Sequence, residues 1–380
     1  MNCITNLLYL FYGDLRKKGR TKMKEKRMLF TGGGTAGHVT VNMALIPVFQ
    51  HEGYEIDYIG SHDGIERELI GQMANVTYYP ISTGKLRRYM SVENIKDPFK
   101  VLKGVMQAWR IIGKTKPDII FSKGGFVSVP VVLAAKLRRV PTIIHESDYT
   151  PGLANKLSIP FVNHVLTTFP ETLEYVPEKK STYVGAIVRE ELFTGSKEVG
   201  YTLTSFTKAK PVLLVMGGSS GSEKINTIIR NCLDDILQHF QVVHICGSGQ
   251  KDGSIQRDGY VQYEYVRDEL KDIFAITDYV VSRAGSNAIF EFLALRIPML
   301  LIPLSRAVSR GDQIINAKSF AKQRFAQVIE EESLEEETFV EELKRLKQMG
   351  PVIADHMGTY KQSEALEEVV NIIHTHRKQS

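Results

Sequence analysis

"FTGGGTAGHVTVNMALIPVF", residues 30–49, holds a glycine turn between an apolar run and a helical pattern. Gly32, Gly34 and Gly37 fit G-x-G-x-x-G, the strand-to-helix turn in which backbone approaches a phosphate and the helix offers its positive end. His38 follows at once, where a loop that binds only nucleotide has no use for an imidazole. Positive potential at a helix N-terminus disfavours the imidazolium, so a neutral ring able to accept a proton is expected near neutral pH. The plain alternative is a tight turn carrying a surface histidine. A dinucleotide loop also asks for an acid at the end of the next strand. "YIGSHDG", 58–64, brings Asp63 a few residues late, which weakens a nicotinamide reading.

On either side of this turn, short β-branched runs alternate with helical stretches. Strands are predicted at 27–30, 55–60, 77–81, 118–122, 142–146 and 165–169, the order of a parallel α/β sheet. The alternation restarts at "PVLLVMGGSSGS" (211–222) and runs through "VVHICGSG" (242–249), "YVVSRAGS" (279–286) and "MLLIPL" (299–304). Two such domains are expected, 23–186 and 187–355, with a hinge at "YVGAIVREELF" (183–193). A closing helix in 356–380 is expected to pack back on the first domain. Residues 1–22 read as a non-structural leader, with Met23 as an alternative start.

The chain has 380 residues, 43% hydrophobic and 24% charged, the balance of a soluble globular protein rather than a disordered one. Cys3, Cys232 and Cys246 lie far apart without a C-x-x-C, so neither a disulfide framework nor a zinc site is suggested. No apolar run is long enough to span a membrane, and the patch 7–12 lacks the flanks of a signal peptide.

In an open parallel sheet, ligands meet the loops after the strands. Besides the opening turn, four such stretches have unusual chemistry. "GGSSGS" (217–222) repeats the anion-friendly turn in the second domain. "SRAGSNAIFEF" (282–292) opens a helix with Ser286 or Asn287 near its start and Glu291 a turn further in, placed to take the two hydroxyls of a ribose; a capping glutamate is the alternative. "SRGDQIINA" (309–317) groups Asp312, Gln313 and Asn316, side chains that suit sugar hydroxyls, or cap a helix. "HESDYTPGLANK" (145–156) is a polar loop after an apolar strand, with His145, Glu146, Asp148 and Asn155.

Taken together, "TGGGTAGHV", "FSKGGFVSVP", "HES-x5-GLANK", "GGSSGS", "SRAGS-x4-E" and "DQ-x2-NA" occur in the order and spacing of the MurG family, which the chain resembles from about Arg27 to its last helix. The resemblance implies a GT-B fold, two Rossmann-like domains facing a cleft. It also implies inverting transfer of N-acetylglucosamine from UDP-N-acetylglucosamine (UDP-GlcNAc) to the 4-hydroxyl of N-acetylmuramic acid (MurNAc) in undecaprenyl-pyrophosphoryl-MurNAc-pentapeptide. By motif, Thr35, Ala36 and Gly37 would meet the donor sugar, while Arg189 and Ser219 would hold its pyrophosphate. Val266 would offer main-chain groups to uracil, Ser286, Asn287 and Glu291 would form the nucleotide pocket, and Gln313 would read the sugar. Asp148 stands where many members carry a sugar-contacting asparagine, and an ionised carboxylate cannot donate a hydrogen bond.

The residues point the same way. The chain has no Asp-x-Asp, so two helix N-termini and Arg189 can meet the charge on a departing UDP, and neither metal nor cofactor is implied. His38 is the candidate base and Glu146 its rival. A UDP-GlcNAc 2-epimerase, an oxidoreductase and a non-catalytic sugar-nucleotide sensor are the alternatives. No nucleic-acid partner is expected. Residues 84–114 carry eight Lys or Arg against two acids, a net of +6, while the whole chain is +5. Within it Lys85, Leu86, Arg87, Arg88, Tyr89 and Met90 interleave charge and apolar bulk, the pattern of an anchor on an anionic membrane surface. Peripheral attachment to the cytoplasmic face of the cell membrane is the expected location. The stripe Ile95, Phe99, Leu102, Met106 and Trp109 is expected to be the core face of a crossover helix.

Overall fold

The structure, a computed structural model, describes residues 26–84, 92–218, 221–307, 309–360 and 364–378, with backbone alone over 92–98. The first domain runs β1 Arg27–Thr31, α1 Gly37–His51, β2 Glu55–Ser61, α2 Ile65–Gly71, β3 Val76–Ile81 and α3 Val92–Thr115. It continues through β4 Ile119–Ser122, α4 Ser128–Arg138, β5 Thr142–Glu146, α5 Leu153–Ser158, β6 His164–Thr167 and β7 Ser181–Tyr183. Among the described residues these strands form one parallel sheet, ordered β3-β2-β1-β4-β5-β6-β7.

The second domain has α6 Lys197–Thr204, β8 Val212–Met216, α7 Glu223–Asn231, α8 Leu233–His239, β9 Gln241–Ile245 and β10 Tyr260–Tyr263. There follow α9 Leu270–Ile276, β11 Tyr279–Ser282, α10 Ser286–Ala294, β12 Met299–Leu301, α11 Asp312–Lys322, β13 Ala326–Val328 and α12 Glu336–Met357. Its parallel sheet is ordered β10-β9-β8-β11-β12-β13. Both are doubly wound α/β sheets, and the strands of their centres are buried and largely apolar because helices cover both faces. The strands that sequence periodicity misses, β7, β10 and β13, are three or four residues long, partly exposed and at sheet edges, where the apolar signal is weakest.

Chain order reverses between β1 and β4 in the first sheet and between β8 and β11 in the second. The loops after those strands diverge and leave a crevice, which places the glycine turns of both domains at it. The closing helix begins at Ala365, not at 356, where α12 is still ending. This helix, α13 Ala365–His376, lies on the first domain: Val369 and Ile373 are wholly buried in its core cluster, and Arg377 donates to the Tyr54 hydroxyl at 2.7 Å.

The stripe on α3 does not face the core. Phe99, Leu102, Met106 and Trp109 are 72%, 60%, 53% and 42% exposed, whereas Ala108 and Ile112 are buried. A Cβ on Gly104 would lie 2.2 Å from the Ser82 carbonyl, so the helix seats its small residues on the sheet and turns the large ones outward. Helical spacing gives a stripe its width and not its side.

Candidate active site

The opening turn is held from beneath by an acid. Glu66, wholly buried at the start of α2, accepts the Gly34 N–H at 3.0 Å and the Ser61 N–H at 2.9 Å. An anion-binding role for that Gly34 N–H is therefore not met, because the protein's own carboxylate already occupies it. Ala36 is the helix N-cap, with no side-chain bond, and Thr35 is exposed. His38, the second residue of α1, has Nδ1 at 3.0 Å from the Gly33 carbonyl and 3.1 Å from the Thr35 hydroxyl. A carbonyl only accepts, so Nδ1 carries the proton and Nε2 is left as the basic atom. Burial and the Lys123 ammonium hold the imidazole below its ordinary pKa, against the opposing pull of Asp148, the Gly33 carbonyl and Glu66. The neutral ring expected from the helix terminus is thus produced chiefly by burial.

The ends of β4 and β5 complete this side. Lys123 is buried, and its Nζ donates to the Ser147 hydroxyl; burial lowers its pKa, and Glu146 and Asp148 oppose that. Glu146 accepts the Asp148 N–H at 3.0 Å on one oxygen, and the Gly152 N–H and Asn155 Nδ2 at 2.9 Å each on the other. A carboxylate so enclosed organises the loop 146–155 and has little left to offer a substrate hydroxyl. His145 lies in β5, wholly inside.

Several residues expected at the donor bond instead across the cleft. Ser286 donates its hydroxyl to the Ser147 carbonyl, and Asn287 Nδ2 donates to the Gly37 carbonyl and the Thr40 hydroxyl, both at 2.9 Å. Neither caps α10, whose N-cap is Gly285. Asn316 is wholly buried, gives its Nδ2 to Asp148 Oδ1 at 2.9 Å and takes the Tyr149 N–H at 3.0 Å, so it is not free for a sugar. Asp148 consequently faces a donor, and the acceptor-only carboxylate suits the place. Arg189 and Glu291 pair at 3.0 Å, and Glu291 caps nothing. Gln313 fixes its carbonyl on the Leu304 N–H at 3.1 Å, leaving its NH2 as the group it can offer. Val266 is half-buried in the loop after β10, packed on the second core. Ser219, and the stretch Lys85, Leu86, Arg87, Arg88, Tyr89 and Met90, lie outside the described residues.

Sequence reading missed three members of this constellation. Glu66 and Lys123 look like surface residues in a helix and a loop. Arg283, buried beside β11, bonds Glu331, the Ser222 hydroxyl at 2.7 Å and the Ile302 carbonyl at 3.1 Å, and so ties together the loops of the second switch point. The one available signal was position, each of Lys123 and Arg283 directly following a strand. Among the described residues no three His, Cys, Asp or Glu are grouped to hold a metal ion.

Residues 28–167 match the model of the glycosyltransferase family 28 N-terminal domain, and residues 212–373 that of the family's C-terminal domain. The chain belongs to glycosyltransferase family 28. Within the family it is 66% identical over 348 residues to the UDP-N-acetylglucosamine--N-acetylmuramyl-(pentapeptide) pyrophosphoryl-undecaprenol N-acetylglucosamine transferase of Oceanobacillus iheyensis, covering 92% of this chain and 98% of that one. The Staphylococcus aureus protein of the same name is 56% identical over 342 residues, covering 90% and 96%. Among solved structures, MurG of Acinetobacter baumannii matches with a TM-score of 0.73 at 23% identity over 92% of this chain and 99% of that one. A UDP-GlcNAc 2-epimerase from Neisseria meningitidis, bound to UDP-GlcNAc, matches at 0.66 and 12% identity over 92% and 100%. The GT-B fold is thus shared by transferase and epimerase alike, and it is the sequence relatives of family 28 that separate the two chemistries.

Proposed function

We propose that this chain transfers N-acetylglucosamine from UDP-GlcNAc to the 4-hydroxyl of the MurNAc unit in undecaprenyl-pyrophosphoryl-MurNAc-pentapeptide. The observation that carries the reading is 66% identity, across nearly the whole of both chains, to a protein named for that transfer. His38 is the base: its bare Nε2 takes the proton of the acceptor 4-hydroxyl as that oxygen attacks the anomeric carbon. The bond from that carbon to the UDP oxygen breaks on the opposite face, and configuration inverts. Glu146 is set aside as base because its oxygens already accept from Asp148, Gly152 and Asn155. Arg189, the turn containing Ser219 and the start of α10 face the departing pyrophosphate, each helix terminus worth on the order of 0.3 to 2 kcal/mol. Thr35, Ala36, Gly37 and Gln313 border the sugar. Glu291 takes the ribose hydroxyls, exchanging its bond with Arg189 for them, and Val266 meets the base.

The acceptor is lipid-borne, and the reading extends to a chain held on an anionic membrane surface from the cytoplasmic side. No helix among the described residues is long and apolar enough to cross a membrane. Support for surface attachment comes from the exposed Phe99, Leu102 and Met106 of α3, which belong to the stretch of sequence, 84–114, that holds a net charge of +6.

Incubation with UDP-GlcNAc, with and without the lipid acceptor, tests the reaction. UDP is expected only with acceptor, in step with the glycosylated lipid. UDP or an epimerised sugar nucleotide formed equally well without acceptor overturns it.

A further inference from the structure

One peptide unit, Gly33–Gly34, is bonded on both sides. Its N–H, on Gly34, donates to Glu66 Oε2 at 3.0 Å, and its C=O, on Gly33, accepts from His38 Nδ1 at 3.0 Å. The other oxygen of Glu66 takes the Ser61 N–H at 2.9 Å and the Ser61 hydroxyl at 2.5 Å. Side chains have been cleared from around the carboxylate. A Cβ on Gly33 would come within 2.3 Å of the Glu66 carboxyl carbon, and one on Gly64 within 2.2 Å of a carboxyl oxygen. A methyl group at either position would collide with the acid, so the turn is built around it.

We propose that Glu66 is a positioning residue for the transfer: through the Gly33–Gly34 peptide its carboxylate holds the His38 ring with Nδ1 protonated and Nε2 bare, and it steadies the imidazolium formed when the acceptor hydroxyl gives up its proton. A peptide whose N–H is drawn toward a carboxylate has a more negative carbonyl, and hydrogen bonds in series strengthen one another. The arrangement works as the acid of a Ser-His-Asp triad does on its histidine, with one peptide plane interposed. It rests on His38 being the base. Two other charges act on the ring, Lys123 from the end of β4, which disfavours the imidazolium, and Asp148 from the loop after β5, which favours it. Loss of the Glu66 charge therefore tips the balance toward Lys123.

Glu66→Gln preserves size and removes the charge. The variant is expected to lose kcat about tenfold, the scale of an outer partner of a reacting histidine, with KM for UDP-GlcNAc unchanged. The acid limb of its kcat/KM profile should move to lower pH, and Glu66→Asp should return it part of the way. In NMR of the histidine ring nitrogens, wild-type His38 should show the Nδ1–H tautomer alone, and Glu66→Gln a mixture of both tautomers. An Nε2–H tautomer in the wild type overturns the proposal without any variant, as does an acid limb and tautomer unmoved in a folded Glu66→Gln. His38→Ala, measured in parallel, keeps the two readings apart. If it retains turnover, the assignment of the base fails; if it loses turnover while Glu66→Gln leaves limb and tautomer in place, only the role of Glu66 fails.

Discussion

Glu291 shows how a single residue's role depends on its partner. Burial pushes its carboxyl above the usual carboxylate range, and Arg189, bonded at 3.0 Å, draws it back down. Under the proposed function, a ribose entering that place supplies hydrogen bonds as good as the guanidinium it displaces, and Arg189 turns toward the pyrophosphate. Glu291→Ala should lower kcat/KM for UDP-GlcNAc by about 1.5 to 3 kcal/mol, the worth of hydrogen bonds to a charged group. Initial rates over a range of donor concentrations check this, and a curve identical to wild type removes Glu291 from the site. The spacing of Glu291 from Gly285 is legible in sequence; its pairing with Arg189, about a hundred residues away, is not. Ser286 and Asn287 make the same point from the other side. Their types suit a nucleotide pocket, but the opposing domain offers the Ser147 and Gly37 carbonyls, and these take them.

At the scale of elements, a buried ion pair sits at the switch point of the second domain. Arg283 and Glu331 are 7% and 7% exposed, and join the loops after β8, β11 and β12 to the segment after β13. Burial raises the Glu331 carboxyl, but Arg283 and the Ser305 N–H outweigh it and hold the group below its ordinary value. A depressed carboxylate contributes stability that is complete above its unfolded pKa and is lost as pH falls through the folded one. Glu331→Gln strands the Arg283 charge in the interior and should cost about 3 kcal/mol at neutral pH, or roughly 6 to 12 °C in Tm for a domain of this size. The gap between variant and wild type should narrow at acid pH and close as pH falls through the depressed folded value, where the wild-type carboxyl itself protonates. Thermal unfolding followed by circular dichroism at both pH values reads it, and equal Tm values at neutral pH would mean the pair adds nothing. The same scale explains α3. Its period is visible in the sequence, but the buried face is the one with Gly104, Ala108 and Ile112, because the helix passes so close to Ser82 at Gly104 that a Cβ there would collide.

For the whole molecule, charge and apolar surface coincide. Residues 84–114 hold a net +6 in a chain of +5, and this is where Phe99, Leu102 and Met106 stand in solvent at 72%, 60% and 53% exposure. Trp109 sits under the Arg138 guanidinium at 3.5 Å from its ring centre, extending the patch with a cation. Basic residues near an anionic surface each contribute about 1 kcal/mol, and three with modest apolar insertion give reversible attachment. Vesicle sedimentation should show binding that grows with anionic lipid and falls with salt. The substitutions Lys85→Glu, Arg87→Glu and Arg88→Glu together, or Phe99→Ser with Leu102→Ser, should each weaken it severalfold. Equal binding by wild type and both variants refutes attachment through this face.

The sequence by itself determined the class of fold, the two domains and the places where loops meet the cleft, since these follow from local periodicity and from glycines that permit a turn whatever surrounds it. It also carried the family, through motifs whose order survives without any knowledge of contacts. Tertiary structure alone decided what each polar residue in those loops faces. Glu146 turns to its own loop, Asn316 to Asp148, Asn287 to the start of α1 and Glu66 to the opening turn. A buried donor or acceptor takes whichever partner the packing brings within about 3 Å, and partners brought from distant parts of the chain leave no trace in its spacing.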